Sequence, residues 1–260
     1  KNYASLTNFL IQRVQYFDEV GCKSADHGFG EFLYKPATLE EIDAIYEKGK
    51  QGINLTRSEI AKWQGQVMSD LGREYEKLGW VMQIHFGAIR NANSRMYQQL
   101  GKDVGCDSII DQSDVAKNLN GFLDALDKTN QLPKTIIYNL NPVLNDLVAT
   151  TCANFQSNNK KVKNKVQFGA AWWFNDQYDG MIKQMETLSN QGILMHFIGM
   201  LTDSRSFISY SRHEYFRRIL CEFIGQKVCC GYYPNEPETL EKLVEKICFE
   251  NANEFFELFV

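Results

Sequence analysis

Asp203 and Arg205 stand two residues apart at the end of an apolar run, in "GMLTDSRSF". A carboxylate at the tip of a buried strand needs a partner, because burying an unpaired charge is costly. Asp203 and Arg205 are therefore read either as a structural ion pair or as a site. The chemistry available to a site is definite. A carboxylate there can ligate a divalent metal and exchange a proton with a bound substrate. A guanidinium beside it can grip a carboxylate through two parallel hydrogen bonds. Trp172 or Trp173, in "AAWWFND", can cover the apolar face of a sugar-like molecule.

The same kind of residue recurs wherever an apolar stretch ends. Asp26 and His27 follow "CKSA", His85 follows "WVMQI" with Arg90 just beyond, and Asn139 and Asn141 close "TIIYNLN". In parallel α/β folds ligands bind outside the carboxyl ends of the strands. Five polar tips together therefore read as the rim of a site. Each also has a structural reading: His85 as a core histidine, Asp26 and His27 as a turn or cap, Asn139 to Asn141 as a helix cap, and the tryptophans as packing. Adjacent strand residues point to opposite faces, so one tryptophan at most need face a ligand. Arg212, Arg217 and Arg218 read as surface or interface.

Alternating strands and helices must position these tips. A first helix runs through "SLTNFLIQRVQYFDEVG" and stops at Gly21. Thr38 with Glu41, Thr56 with Glu59, and Ser211 with Glu214 have capping-box spacing, and Gly79 closes the second of these helices. Asn141 and Pro142 read as N-cap and first helical residue. A helix begins near Ser113 after a long polar loop, another runs through "DQYDGMIKQMETLSNQG", and an amphipathic helix through "TLEKLVEKICFENANEFF" ends the series. "CKSADHG" is a short strand-like piece ending in polar residues, and the apolar strands are "WVMQIH", "TIIYNL", "VQFGAA" and "HFIGMLT". Near-continuous apolar strands between helices predict five parallel strands in chain order, covered by helices, in one α/β domain over residues 1–260. Antiparallel neighbours among these strands would contradict it.

Composition narrows the function. The chain has 260 residues and a net charge of −4, which argues against a nucleic-acid surface. The run "KKVKNK" reads as a solvated loop. No apolar run is long enough to span a bilayer, and no signal peptide is evident, so a cytoplasmic protein with no membrane partner is expected. Seven cysteines without a CxxC pair read mostly as buried thiols in a reducing compartment.

"HFGAIRNANSRMYQQLGKDVGCDSI", "AWWFNDQYDGM", "GMLTDSRSFISYSRHEYFRRILC" and "GCKSADHG" closely resemble segments of uronate (glucuronate) isomerases. The resemblance covers essentially the whole chain. It implies a (β/α)8 TIM barrel of the metal-dependent, amidohydrolase-like superfamily. It implies interconversion of D-glucuronate with D-fructuronate, and of D-galacturonate with D-tagaturonate. On that likeness Asp203 is catalytic and a ligand of a divalent metal, zinc being the expected ion. Arg205, Trp172, Trp173, His85 and Arg90 would bind the hexuronate.

One departure is large. The family's first strand carries a His-x-His metal pair, and the histidines here are His27, His85, His196 and His213. With five strand–helix units in place of eight, the sequence resembles the C-terminal part of the family's barrel. The other metal ligands are then expected from an absent N-terminal segment. The chain is expected to form a homo-oligomer or to associate with that segment, and otherwise to aggregate through its open edges. A stable monomer by light scattering would count against this. Two other readings stay open. One is a metal-dependent hydrolase, with Asp203 activating metal-bound water. The other is a non-catalytic fragment that needs the N-terminal half.

Overall fold

The computed structural model describes residues 2–157 and 162–258. Helix α1 (Tyr3–Glu19) leads into strand β1 (Ser24–Phe29), and helices α2 (Leu39–Lys50) and α3 (Arg57–Leu78) follow. Strand β2 (Val81–Phe86) is followed by β3 (Ala88–Ile89), α4 (Ser94–Leu100), β4 (Ser108–Ile109) and α5 (Val115–Asp127). Two more strand–helix units come next: β5 (Lys134–Asn139) with α6 (Asn145–Asn154), and β6 (Val166–Phe168) with α7 (Tyr178–Gln191). Helices α8 (Arg212–Cys229), α9 (Pro237–Glu245) and α10 (Asn251–Phe256) end the fold, with a π-turn at Lys246–Glu250 between the last two.

Local chemistry places several boundaries where the sequence predicts them. Thr38 and Thr56 accept the backbone N–H of Glu41 and Glu59, and each glutamate reaches back to its cap. Gly79 ends α3 in the left-handed conformation at φ 74°. Asn141 caps a 3₁₀ turn that begins at Pro142 and runs into α6. Ser211 is different. Residues Phe207–Ser211 already form a 3₁₀ turn, so Ser211 is helical and caps nothing. Its hydroxyl donates to the Ile208 carbonyl, and Glu214 pairs with Arg218 instead.

Strands β1, β2, β5 and β6 lie in that order, all parallel. The predicted fifth strand, "HFIGMLT", does not form among the described residues. Leu194–His196 make a 3₁₀ turn, and the chain from Phe197 to Ser206 is irregular. Two local causes are visible. The Asn251 amide donates to the Met195 and Phe197 carbonyls, groups that a neighbouring strand would otherwise pair with. Gly199 turns through φ 79° with the Ile247 carbonyl packed against it, where a Cβ would sit at 2.3 Å. The long polar loop after β2 is more ordered than expected, since it holds α4 and the antiparallel β3–β4 pair.

The two faces of the sheet differ. Period-two alternation puts Met82, Ile84, Phe86, Ile137, Val166 and Phe168 on one side, all buried. Helices α3, α5 and α6 pack there. Burying each such side chain contributes about 1.5–3 kcal/mol. The opposite face carries Asp26, Gln83, His85, Tyr138 and Gln167.

Of the seven cysteines only Cys152 is buried, which corrects the expectation of mostly buried thiols. Cys221, Cys229 and Cys230 are exposed on α8 and just beyond it. Lys160 and Lys161 of the basic run lie outside the described residues, and Lys163 pairs with Glu254 at 3.4 Å. No helix among the described residues is long and apolar enough to cross a membrane.

Candidate active site

His85 is the fifth residue of β2, and parallel register sets it beside Gly28 on one side and Tyr138 on the other. Its ring stacks on Tyr138, with centroids 4.2 Å apart and planes at 11°. Its Nδ1 lies 2.6 Å from Oδ1 of Asp26, one alternation earlier on β1. A carboxylate only accepts hydrogen bonds, so Nδ1–H is the donor. The Tyr138 hydroxyl donates to Gln83 Oε1 at 2.9 Å. Burial, followed by the nearby charges of Asp26 and Asp203, holds the Tyr138 phenol well above its ordinary pKa. The phenol therefore stays protonated and serves as a fixed donor.

Trp172 joins this strand cluster to the loop that carries Asp203. Its indole meets His85 edge-on at 4.7 Å, and its Nε1–H donates to Asp203 Oδ2 at 2.7 Å. Asp203 and Trp173 both hold positive φ, 46° and 52°. Non-glycine residues adopt that region rarely and at a cost, and such residues cluster at functional loops. Trp173 stacks on Phe174 and lies under the Arg90 guanidinium, 4.4 Å from the ring centroid. Arg90 also reaches Asp107 at 3.5 Å.

Asp26, His85, Trp172 and Asp203 are thus joined by direct contacts, and Trp173 with Arg90 adjoins them. Arg205 is exposed, and it pairs with neither Asp203 nor any other acid among the described residues. The structural ion-pair reading of Asp203 and Arg205 is therefore set aside: the hydrogen-bond partner of Asp203 is an indole. His27 belongs to packing, since it points to the helical face, where Nε2 meets the Tyr75 hydroxyl at 3.0 Å and the two rings stack. Asn139 and Asn141 shape the loop after β5. The Asn139 amide donates to the Asn141 carbonyl and to Asn145 Oδ1, and Asn141 Oδ1 accepts the Val143 N–H. Sequence reasoning passed over Tyr138 and Gln83. The i, i+2 spacing of Gln83 and His85 within β2 was the available signal.

Arg212, read as surface or interface from the sequence, is partly exposed and also builds an internal fork. Its Nε and Nη2 hold Asp176 Oδ2 and Oδ1 at 2.7 and 2.9 Å, and Nη2 also reaches the Asp176 carbonyl. The Asp176 side chain is only 11% exposed. This fork ties the loop after Trp172 and Trp173 to the start of α8. Arg212→Lys keeps the charge but not the two-point geometry. It is expected to lower stability by about 1–2 kcal/mol, the scale of a lost hydrogen bond to a charged group. An unchanged melting temperature would show that the fork contributes nothing.

The donors for a metal are incomplete. Among the described residues no three His, Cys, Asp or Glu side chains converge as a metal site requires. Asp203 can supply one ligand but does not make a site alone, so these side chains do not by themselves fit a metal ion. A cavity of about 510 Å³ opens elsewhere, beside α6 and α7, and none of Asp26, His85, Tyr138, Trp172 or Asp203 lines it.

A parallel sheet with helices on one face, and polar groups gathered on the other and in the loops beyond the strands, defines an α/β protein with a strand-end site. The chain belongs to the glucuronate isomerase family, whose model matches residues 1–256. It is 50% identical over 249 residues to a uronate isomerase of Staphylococcus haemolyticus, covering 96% of this chain and 53% of that protein. It is 50% identical over 257 residues to one of Geobacillus thermodenitrificans, covering 99% and 54%. The crystal structure of uronate isomerase from Thermotoga maritima superposes with a TM-score of 0.88 at 29% identity, over 98% of this chain and 54% of that one. The chain spans about half the length of the curated relatives it matches.

Proposed function

We propose that this chain contributes the Asp203 side of the active site in an aldose–ketose isomerase of hexuronates. The substrates are D-glucuronate, giving D-fructuronate, and D-galacturonate, giving D-tagaturonate. The observation that carries the reading is the placement of Asp203: Trp172 holds its carboxylate by a hydrogen bond and packs edge-on to the His85 ring, in a chain of this family. The four parallel strands are read as a section of a (β/α)8 barrel within one domain over residues 1–260. The family's longer members and the unpaired outer edges of β1 and β6 support this. The remaining strands would come from sequence outside these residues. The working enzyme is read as cytoplasmic and as an assembly, either of copies or of complementary segments.

Aldose-to-ketose conversion moves one proton from C2 to C1 and another from O2 to O1. Asp203 takes the C2 proton, leaving a cis-enediolate whose O1 takes a proton as O2 gives one up, and Asp203 returns its proton to C1. Arg205, with no competing ion pair among the described residues, grips the substrate carboxylate. Trp172 and Trp173 offer ring surface, and His85 and Arg90 contact the polyol. A divalent cation, zinc by expectation, would add polarisation of the substrate oxygens when bound, with most of its ligands from outside this chain.

The test is turnover of both aldohexuronates by the complete enzyme in D₂O. Ketose formed with deuterium at C1 supports proton transfer through an enediol. Absence of ketose, or ketose formed by Asp203→Asn at the wild-type rate, sinks it. Hydrolysis of an ester or amide without isomerisation would point to the hydrolase reading.

A further inference from the structure

We propose that Asp26 is a positioning residue for His85, holding the ring proton on Nδ1 so that Nε2 presents a lone pair to a hydroxyl of the bound sugar acid. This rests on the hexuronate reading above and deepens it with a specificity-determining contact. His85 is 5% exposed, and its Nε2 is buried with no hydrogen-bond partner among the described residues. Folded proteins seldom leave such an atom unpaired. The ring cannot easily turn away to find one. Asp26 holds Nδ1 at 2.6 Å, Tyr138 lies flat against one face, and Trp172 meets the ring edge-on. The hydroxyl of the stacked Tyr138 is already committed, because it donates to Gln83.

The chemistry selects the ligand group. With Nδ1–H given to Asp26, the neutral ring offers only an acceptor at Nε2. A hexuronate presents acceptors at its carboxylate and carbonyl, and donors only at its hydroxyls. An Nε2 lone pair therefore recognises a hydroxyl. On the β1 flank of His85 the register partner is Gly28, which carries no side chain and where a Cβ would meet nothing within 4 Å. A glycine within a strand often marks such a close approach.

The experiment uses the complete enzyme with ¹⁵N-labelled histidine, and compares the natural hexuronate with its 3-deoxy and 4-deoxy analogues. The wild type is expected to show neutral His85 as the Nδ1–H tautomer. It should turn over one deoxy analogue at least about 10²-fold less efficiently than the parent, because a buried acceptor left unpaired penalises that analogue. Asp26→Asn can donate to Nδ1 and so reverse the tautomer. It should cost about 10²-fold on the parent substrate, with that analogue's rate and the melting temperature nearly unchanged. Loss of both substrates in equal measure would make Asp26 merely structural and overturn the proposal, as would an unaltered tautomer in Asp26→Asn. A His85 Nε2 signal that moves with zinc alone, without sugar, would overturn it in favour of metal ligation. Should Asp26→Asn fail to fold, His85→Phe keeps the stack on Tyr138 and must collapse the same discrimination; retained discrimination refutes the proposal. Absence of any hexuronate turnover would remove the isomerase reading, and the tautomer measurement would still decide whether Asp26 sets His85.

Discussion

Asp203→Asn is expected to cut hexuronate turnover by about 10²–10⁴-fold, the usual scale of a lost general base, while the melting temperature stays within about a degree or two of the wild type. The structure explains why the fold should tolerate the change. Asp203 sits at φ 46°, and asparagine is one of the few residues that adopts this region readily. The amide oxygen can still accept the Trp172 indole N–H that now points at Oδ2. Asparagine cannot take a proton from C2, and it is a poorer metal ligand. Rate and stability therefore separate. Arg205→Lys should separate them in the same direction with a larger effect on KM, since Arg205 is exposed, makes no ion pair among the described residues, and loses only its planar grip. If Asp203→Asn melts early yet turns over at the wild-type rate per folded molecule, Asp203 is a structural residue and the proposed chemistry is wrong.

Gly169→Ala is expected to cost about 1–3 kcal/mol of stability from overpacking, which lowers the melting temperature by several degrees. An added Cβ would lie 2.3 Å from two Tyr138 ring carbons and 3.0 Å from Ile136 Cγ2. The ring has little freedom to yield. Its hydroxyl is tied to Gln83, its face is stacked on His85, and the Gly169 carbonyl is itself held by the Gln184 amide of α7. Whatever movement occurs passes to His85, so activity should fall together with stability. Gly49→Ala supplies the control, since a Cβ on that helical glycine would meet nothing within 4 Å. It should gain roughly 0.5–1 kcal/mol. Equal melting temperatures for the wild type and Gly169→Ala would mean that Tyr138 moves freely and does not brace His85.

Much of this molecule is legible one stretch at a time. Helix starts at Thr38, Thr56 and Asn141, the stop at Gly79, and four apolar strands in parallel chain order follow from interactions among residues close in sequence. Caps and hydrophobic periodicity act over a few residues, and parallel pairing follows from the helix between each pair of strands. The family, too, is written in contiguous motifs, the longest being "TDSRSFISYSRHEYFRR". What the sequence left open concerns partners far apart in the chain. Asp26 meets His85 across 59 positions, and Trp172 meets Asp203 across 31. Those contacts exist because strand register and the loop after β6 bring them together. Register also decides that His85 faces Tyr138 and Asp26 while His27, one residue beyond Asp26, faces the helices. The apolar stretch "HFIGMLT" looked like a strand because periodicity reports burial. Whether a buried stretch joins a sheet depends on who takes its backbone groups, and here the Asn251 side chain takes two carbonyls, those of Met195 and Phe197. Asp203 and Arg205, neighbours in sequence, do not pair at all. The fold gives the carboxylate an indole and leaves the guanidinium exposed, an arrangement that only the tertiary structure decides.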